Sequence, residues 1–88
     1  RESDSAFRFG GEEFAIILVE SNKKDSMRYS QRLRNLIEKT DFEGFTITIS
    51  VGCSEFKNKT DSPKSLVKRV DMALYKAKKR GRNGVCAL

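Results

Sequence analysis

Histidine is absent from this chain, cysteine occurs twice and proline once. Without histidine, Cys53 and Cys86 have no partner for a zinc site, and their separation is not that of paired metal ligands. Both sit inside apolar, strand-like runs, so they are expected to be small buried hydrophobes, not a disulfide or a reactive thiol. Long hydrophobic runs are missing too. Residues 15–19 form the longest apolar stretch, far short of the ~20 residues that cross a bilayer. No charged-then-apolar leader opens the chain, so the expected setting is soluble and cytoplasmic, or the cytoplasmic face of a membrane, with no direct membrane contact from this segment. Low-complexity tracts and internal repeats are absent, and nothing in the composition suggests disorder.

What is present fits one small domain, or part of one, across residues 1–88. A chain this short buries only roughly 60–65% of its extended surface, so the core should be thin. The net charge is +6, and 34% of residues are charged. The basic excess gathers in Lys76, Lys78, Lys79, Arg80 and Arg82. Such a run is either a solvated helix end, where cations suit the negative pole of the dipole, or a phosphate-binding surface. The aromatics are not interleaved with it, which argues against nucleic acid as the partner.

Residues 6–9 and 14–19 are rich in strand formers and are separated by Gly10, Gly11, Glu12 and Glu13, the pattern of a hairpin. Over residues 22–39 the spacing of Met27, Leu33, Leu36 and Ile37, with Tyr29 and Ser30 in the gap, predicts a helix capped by Asn22. Phe45, Ile47, Ile49, Val51 and Cys53 alternate with Thr46, Thr48, Ser50 and Gly52, which predicts a strand with one apolar face. Ser62 and Pro63 open a second helix with Leu66, Val70, Ala73, Leu74 and Ala77 as its buried stripe, and Gly81 stops it. Residues 84–88 are expected to form a last short strand. The fold class that follows is α+β, with helices packed on a sheet. Because the first strand has no element before it, the sheet is expected to lack a neighbour.

Adjacent acids on a regular strand point to opposite faces, but at a hairpin tip Glu12 and Glu13 can converge on a hard divalent cation that shares phosphate oxygens. Gly10 and Gly11 leave room for a ligand to approach the backbone. The same four residues also describe an exposed turn with solubilising charges. Lys78 and Arg82, four apart at the end of the second helix, would flank a triphosphate if the sheet brings them to the hairpin tip. Arg1 and Asp4 bracket the chain ahead of the hairpin. Arginine reads phosphate or a guanine edge, and aspartate accepts from guanine nitrogens or simply holds the arginine as a surface ion pair.

Three stretches, "RFGGEEFAIIL", "ITISVGCS" and "VDMALYKAKKRGRNGV", resemble, in order, the signature hairpin, a later central strand and the C-terminal helix and turn of the GGDEF family of diguanylate cyclases. The resemblance covers nearly the whole chain. It implies a palm-like, nucleotide-cyclase sheet rich in antiparallel pairs, in which two GTP molecules condense to cyclic di-GMP with release of pyrophosphate. Each domain of a homodimer would hold one GTP. Glu12 and Glu13 match the metal-binding acids for Mg2+ or Mn2+, and Glu12 also the residue proposed to assist deprotonation of the attacking hydroxyl. Gly10 and Gly11 match the glycines against which the nucleotide lies, and Lys78 and Arg82 the phosphate contacts. "RESD" resembles the RxxD product-inhibition site, placing cyclic di-GMP on Arg1 and Asp4, with Arg32 of the next helix in support. The family's first strand, the helices before it, a third metal ligand and the guanine-recognition residues have no counterpart here. The chain therefore resembles the C-terminal part of a GGDEF domain, with a gap between strands 14–19 and 45–53 that leaves two edges unpaired. On that basis the 88 residues alone are expected to associate and to make no cyclic di-GMP. The alternative is a non-catalytic module that senses GTP or cyclic di-GMP.

Overall fold

A computed structural model describes residues 5–8, 14–18 and 22–88. Element order is β1 (Ser5–Arg8), β2 (Phe14–Ile17), α1 (Lys23–Lys39), β3 (Val51–Cys53), α2 (Pro63–Lys79) and β4 (Val85–Ala87). β1 and β2 form an antiparallel ribbon in which Ser5 faces Ile17 and Arg8 faces Phe14. This is the expected hairpin; its connecting residues, with Gly10, Gly11, Glu12 and Glu13, lie outside the described residues, as do Arg1 and Asp4.

The second sheet corrects one expectation. β3 and β4 pair in parallel, Val51 with Val85 and Cys53 with Ala87, so among the described residues the antiparallel-rich sheet is replaced by two two-stranded sheets of opposite kind. The reason is connectivity: β3 and β4 are joined through α2, and a helical crossover returns the chain in the same direction. Among the described residues the ribbon packs on neither helix and shares no ladder with β3.

Both helices begin where the sequence signals them. The Asn22 side chain accepts from the Asp25 amide at 2.8 Å. Ser62 and Ser65 make a reciprocal capping box: the Ser65 amide donates to the Ser62 hydroxyl at 3.2 Å, and the Ser62 amide to the Ser65 hydroxyl at 2.9 Å. These caps satisfy amides that have no partner inside the helix. A carboxylate from elsewhere assists α1, since Glu55 accepts from the Lys23 amide at 2.9 Å and places negative charge at the positive end of the helix.

α1 and α2 both pack on the β3–β4 pair, and they cover its opposite faces. Gly52 faces α2: a Cβ there would fall on the Leu74 amide nitrogen and within 2.6 Å of the Val70 carbonyl oxygen. Cys86, its register partner, joins Ala73 and Ala77 in the buried cluster on the same side. Cys53 points the other way, toward Ser30 of α1. Burial pushes the Cys53 thiol above its ordinary value, with the Ser30 hydroxyl pulling weakly against it, so the thiolate is disfavoured. Both cysteines are free and buried, as small hydrophobes should be.

Two further expectations are corrected. The buried residues of α1 are Ser26 and Ser30, whereas Met27 and Leu36 are exposed. The Ser30 hydroxyl donates to the Ser26 carbonyl at 2.7 Å, which satisfies its proton within the helix and lets small polar residues face the sheet. The strand expected over residues 45–53 shrinks to Val51–Cys53. A ladder extends only as far as its partner, and β4 is three residues long. Phe45 and Ile47, expected on its apolar face, are exposed. Phe45 instead bridges to Phe42 across a two-residue turn, Glu43–Gly44, in which both residues have positive φ (53° and 90°), the combination a tight hairpin requires.

The loop after β3 is tied down by one arginine. Arg69 of α2 grips Asp61 with both guanidinium nitrogens, at 2.8 and 2.6 Å, donates from Nε to the Ser54 hydroxyl at 2.6 Å and from Nη2 to the Glu55 carbonyl at 2.8 Å. The Asp61 side chain is only 3% exposed. Arg69 first, then the Lys57 amide and the Ser65 hydroxyl, hold its carboxyl far below the usual carboxylate range, against a smaller opposing effect of desolvation.

Two outcomes follow from this packing. Gly52→Ala should lower stability by about 1–3 kcal/mol in urea unfolding, because α2 must move away from β3 to admit one methyl; an unchanged midpoint would contradict the close contact. Asp61 has a depressed pKa in the folded state, so its stabilisation is complete above the ordinary carboxylate value near ~4 and is lost as pH falls through the folded value. Asp61→Asn should therefore be less stable than the natural protein at neutral pH, with the gap closing as thermal unfolding is repeated at progressively lower pH.

Candidate nucleotide-phosphate site

The C-terminal end of α2 carries Lys78, with Arg82 just past it, the two described residues for which the sequence raises the expectation of a phosphate contact. The helix ends in a Schellman arrangement: the Arg82 amide donates to the Ala77 carbonyl at 3.2 Å and the Gly81 amide to the Lys78 carbonyl at 3.3 Å. Gly81 has φ 107°, which glycine adopts without steric cost. Lys78 is half-buried in the last turn, and Arg82, one residue past the glycine, is exposed. The sequence places the two on one face of the helix or just beyond its end. In the structure Arg82 lies beyond the helix with φ 63°, and Asn83 follows with φ 45°.

Two non-glycine residues in succession with positive φ are uncommon, and the surrounding contacts account for them. Asn83 is held by α1: its Nδ2 donates to Glu38 Oε2 at 2.6 Å, and its Oδ1 accepts from Arg34 Nη1 at 3.1 Å. Arg34 and Glu38 are themselves an ion pair at 3.3 Å, four residues apart on α1. Arg34 Nε also donates to Gln31 Oε1 at 3.0 Å. The chain then enters β4 through Gly84, whose carbonyl accepts from the Val51 amide at 2.9 Å. The turn bearing Arg82 is thus fixed on one side by the end of α2 and on the other by α1 and β3.

The electrostatics of this end are mixed. Free carbonyls make the C-terminus of a helix the negative pole, which disfavours an anion. Lys76, Lys78 and Lys79 in the last turn, with Arg80 and Arg82 after it, reverse the local sign. Lys79 is partly engaged, 5.6 Å from the centre of the Tyr75 ring.

Arg32 lies exposed on α1, two residues on from the buried Ser30 and so on the other side of the helix. Arg1, Asp4, Gly10, Gly11, Glu12 and Glu13 are outside the described residues. The structure therefore brings Lys78 and Arg82 to one helix end and sets Arg32 on the solvent face of α1. Among the described residues, no three acidic or cysteine side chains gather as a metal would require. Neither described helix is long and apolar enough to cross a membrane. Sequence reasoning missed Arg34, Glu38 and Asn83. The Arg34–Glu38 spacing was a visible signal for an ion pair, and Asn83 directly before Gly84 for a left-handed turn, but nothing local joins residues separated by 45 positions.

The GGDEF family model, described as the diguanylate cyclase GGDEF domain, matches residues 1–84. The chain is 39% identical to diguanylate cyclase DosC of Escherichia coli (strain K12), an alignment that covers 97% of the chain and 19% of that protein. It is 38% identical to diguanylate cyclase A of Treponema denticola, covering 97% of the chain and 24% of that protein. Against the response regulator PleD of Caulobacter vibrioides it is 36% identical over 97% of the chain and 20% of that protein. The chain thus spans between a fifth and a quarter of these relatives' lengths. A match through the hairpin, the central strand and the basic end of α2 alike identifies the chain as a member of the GGDEF domain family.

Proposed function

We propose that the protein carrying this chain is a diguanylate cyclase, which condenses two GTP molecules to cyclic di-GMP and two pyrophosphates. The observation that carries the reading is the intact "GGEEF" at residues 10–14, within a family match that runs from residue 1 to residue 84. Members that only bind nucleotide have no need to keep both acids, whereas phosphoryl transfer does.

In each transfer a 3′ oxygen bonds to the α-phosphorus of the other GTP, the bond from that phosphorus to the α–β bridging oxygen breaks, and pyrophosphate leaves. Glu12 assists in removing the hydroxyl proton. Glu12 and Glu13 are hard oxygen donors suited to Mg2+ or Mn2+, and they would hold the ion. Such an ion, when bound, neutralises phosphate charge and lowers the pKa of the attacking hydroxyl. Gly10 and Gly11 let the nucleotide lie against the backbone. Lys78 and Arg82 bind its phosphates, and the cationic end of α2 described above supports that role. Because each domain holds one GTP, the reaction needs two copies of the domain facing each other. Cyclic di-GMP returns as an inhibitor to Arg1 and Asp4, with Arg32 in support.

Glu12→Ala in the full-length protein should cut cyclic di-GMP formation by at least ~10² while the fold is retained, the scale of losing a proton-transfer group. Unchanged turnover would remove Glu12 from the chemistry. GTP binding by the natural protein without any turnover would mark it as a sensing module instead. Calorimetric titration with cyclic di-GMP tests the product site separately: Arg1→Ala and Asp4→Ala should each abolish binding, and binding that survives both would overturn that assignment.

A further inference from the structure

We propose that Asn83, clamped by Arg34 and Glu38, is a positioning residue that sets the affinity for the nucleotide triphosphate by fixing the backbone from which Arg82 projects. The inference rests on the reading of Arg82 as a phosphate contact. Three observations carry it. Arg82 has φ 63°, a conformation that costs an arginine free energy and persists only where the surroundings enforce it. The upstream restraint, the Arg82 amide on the Ala77 carbonyl, fixes the start of the turn but leaves its exit free. The exit is fixed by Asn83, whose amide uses both its donor and its acceptor on α1, at 2.6 and 3.1 Å, across 45 and 49 residues of chain.

The clamp is also built in layers. Glu38 is oriented by Arg34 at 3.3 Å, and Arg34 is 16% exposed and is further held by Gln31 and Asn35. None of these side chains need touch a ligand. A guanidinium recognises phosphate through a planar fork of donors, so a small rotation of its backbone misaligns two hydrogen bonds together. The Gly84 carbonyl, bonded to the Val51 amide, anchors the chain two residues on, and Asn83, next to Arg82 and locked to a different helix, restrains that rotation most directly. Asparagine suits the place because it tolerates left-handed backbone and supplies one donor and one acceptor.

The test is the affinity of the full-length protein for GTP with Mg2+, titrated calorimetrically and read independently of turnover. Asn83→Asp keeps the backbone preference and the acceptor for Arg34 but sets a carboxylate against Glu38. It should weaken GTP binding about tenfold, comparable with losing one charge-assisted hydrogen bond. Adding Glu38→Gln rebuilds the bond with donor and acceptor exchanged, and should restore most of the affinity. In an Arg82→Ala background, Asn83→Asp should have no further effect, since an orienting residue has nothing left to orient. If Asn83→Asp does not fold, Asn83→Gly keeps the backbone and deletes only the clamp, and serves in the same comparison. Equal affinity of the natural protein and Asn83→Asp, or an equal loss with and without Arg82, overturns the proposal and leaves the cyclase reading standing. GTP binding that shows the expected pattern in a protein with no turnover supports the clamp and overturns the cyclase reading. Failure of the natural protein to bind GTP overturns both.

Discussion

The absence of a side chain at Gly52 governs the placement of α2. Its backbone lies against β3 so closely that a methyl group would collide with the backbone of both Val70 and Leu74, one helical turn apart. The buried members of that interface are small as well, Ala73 and Ala77 on the helix and Cys86 on β4, with the half-buried Leu88 packed against them. The opposite face repeats the theme with Ser26 and Ser30 against Cys53. No large side chain among the described residues is fully buried. What holds the layers is therefore close approach of backbones and many short dispersion contacts, not a core of interlocked large hydrophobes. Such an interface has little slack, because a small residue cannot fill a gap by changing rotamer.

From that contact the rest of the described fold can be traced. With α2 fixed at Gly52, Arg69 is brought within reach of the loop after β3, where it binds Asp61, Ser54 and the Glu55 carbonyl together. Glu55 then reaches the N-terminus of α1. A single arginine thus links the outer helix, through the sheet's end, to the helix on the other face. The capping box of Ser62 and Ser65 joins the same cluster, since the Ser65 hydroxyl also contacts Asp61 at 2.9 Å. The cluster makes α2 start at one place, and the Schellman turn makes it stop at one place.

The parts of this arrangement that were legible in the sequence are those decided within a few residues. Asn22, Ser62 with Pro63, and Gly81 mark helix ends because capping is a local hydrogen-bonding problem, and all three stand where the sequence signals them. The antiparallel ribbon was legible for the same reason. The parallel pairing of β3 and β4 was not, because period-two alternation is the same in either kind of ladder. The length of β3 was set by β4, whose residues pair with it from 34 positions downstream, and not by the alternation of residues 45–53 itself. Gly52 was assigned to a polar face by its position among threonines and serine, whereas the structure covers that face with a helix. At the candidate site, the types of Lys78 and Arg82 and the helix stop at Gly81 could be read from the sequence, but the clamp that fixes the turn after it could not. It depends on Asn83 meeting Glu38.

That dependence bears on how a helix C-terminus can serve an anion at all. The dipole of α2 opposes a phosphate at this end, and backbone amides that might have bound one are already engaged: those of Arg80, Gly81 and Arg82 all donate to carbonyls of the last turn. With those three amides engaged, recognition at the helix end itself falls to side chains. Long cationic side chains are flexible, and holding each in one geometry costs rotamer entropy on binding, so a site made only of them is weak unless their backbones are fixed in advance. Lys78 is fixed by the helix and by half-burial; Arg82, exposed and outside the helix, has neither. Anchoring the turn to α1 supplies the missing constraint from a second element, at the expense of two residues with positive φ. The same anchoring ties the phosphate contact proposed for Arg82 to α1, the helix that also bears Arg32, so that the turn presenting Arg82 and the product contact proposed for Arg32 share one support.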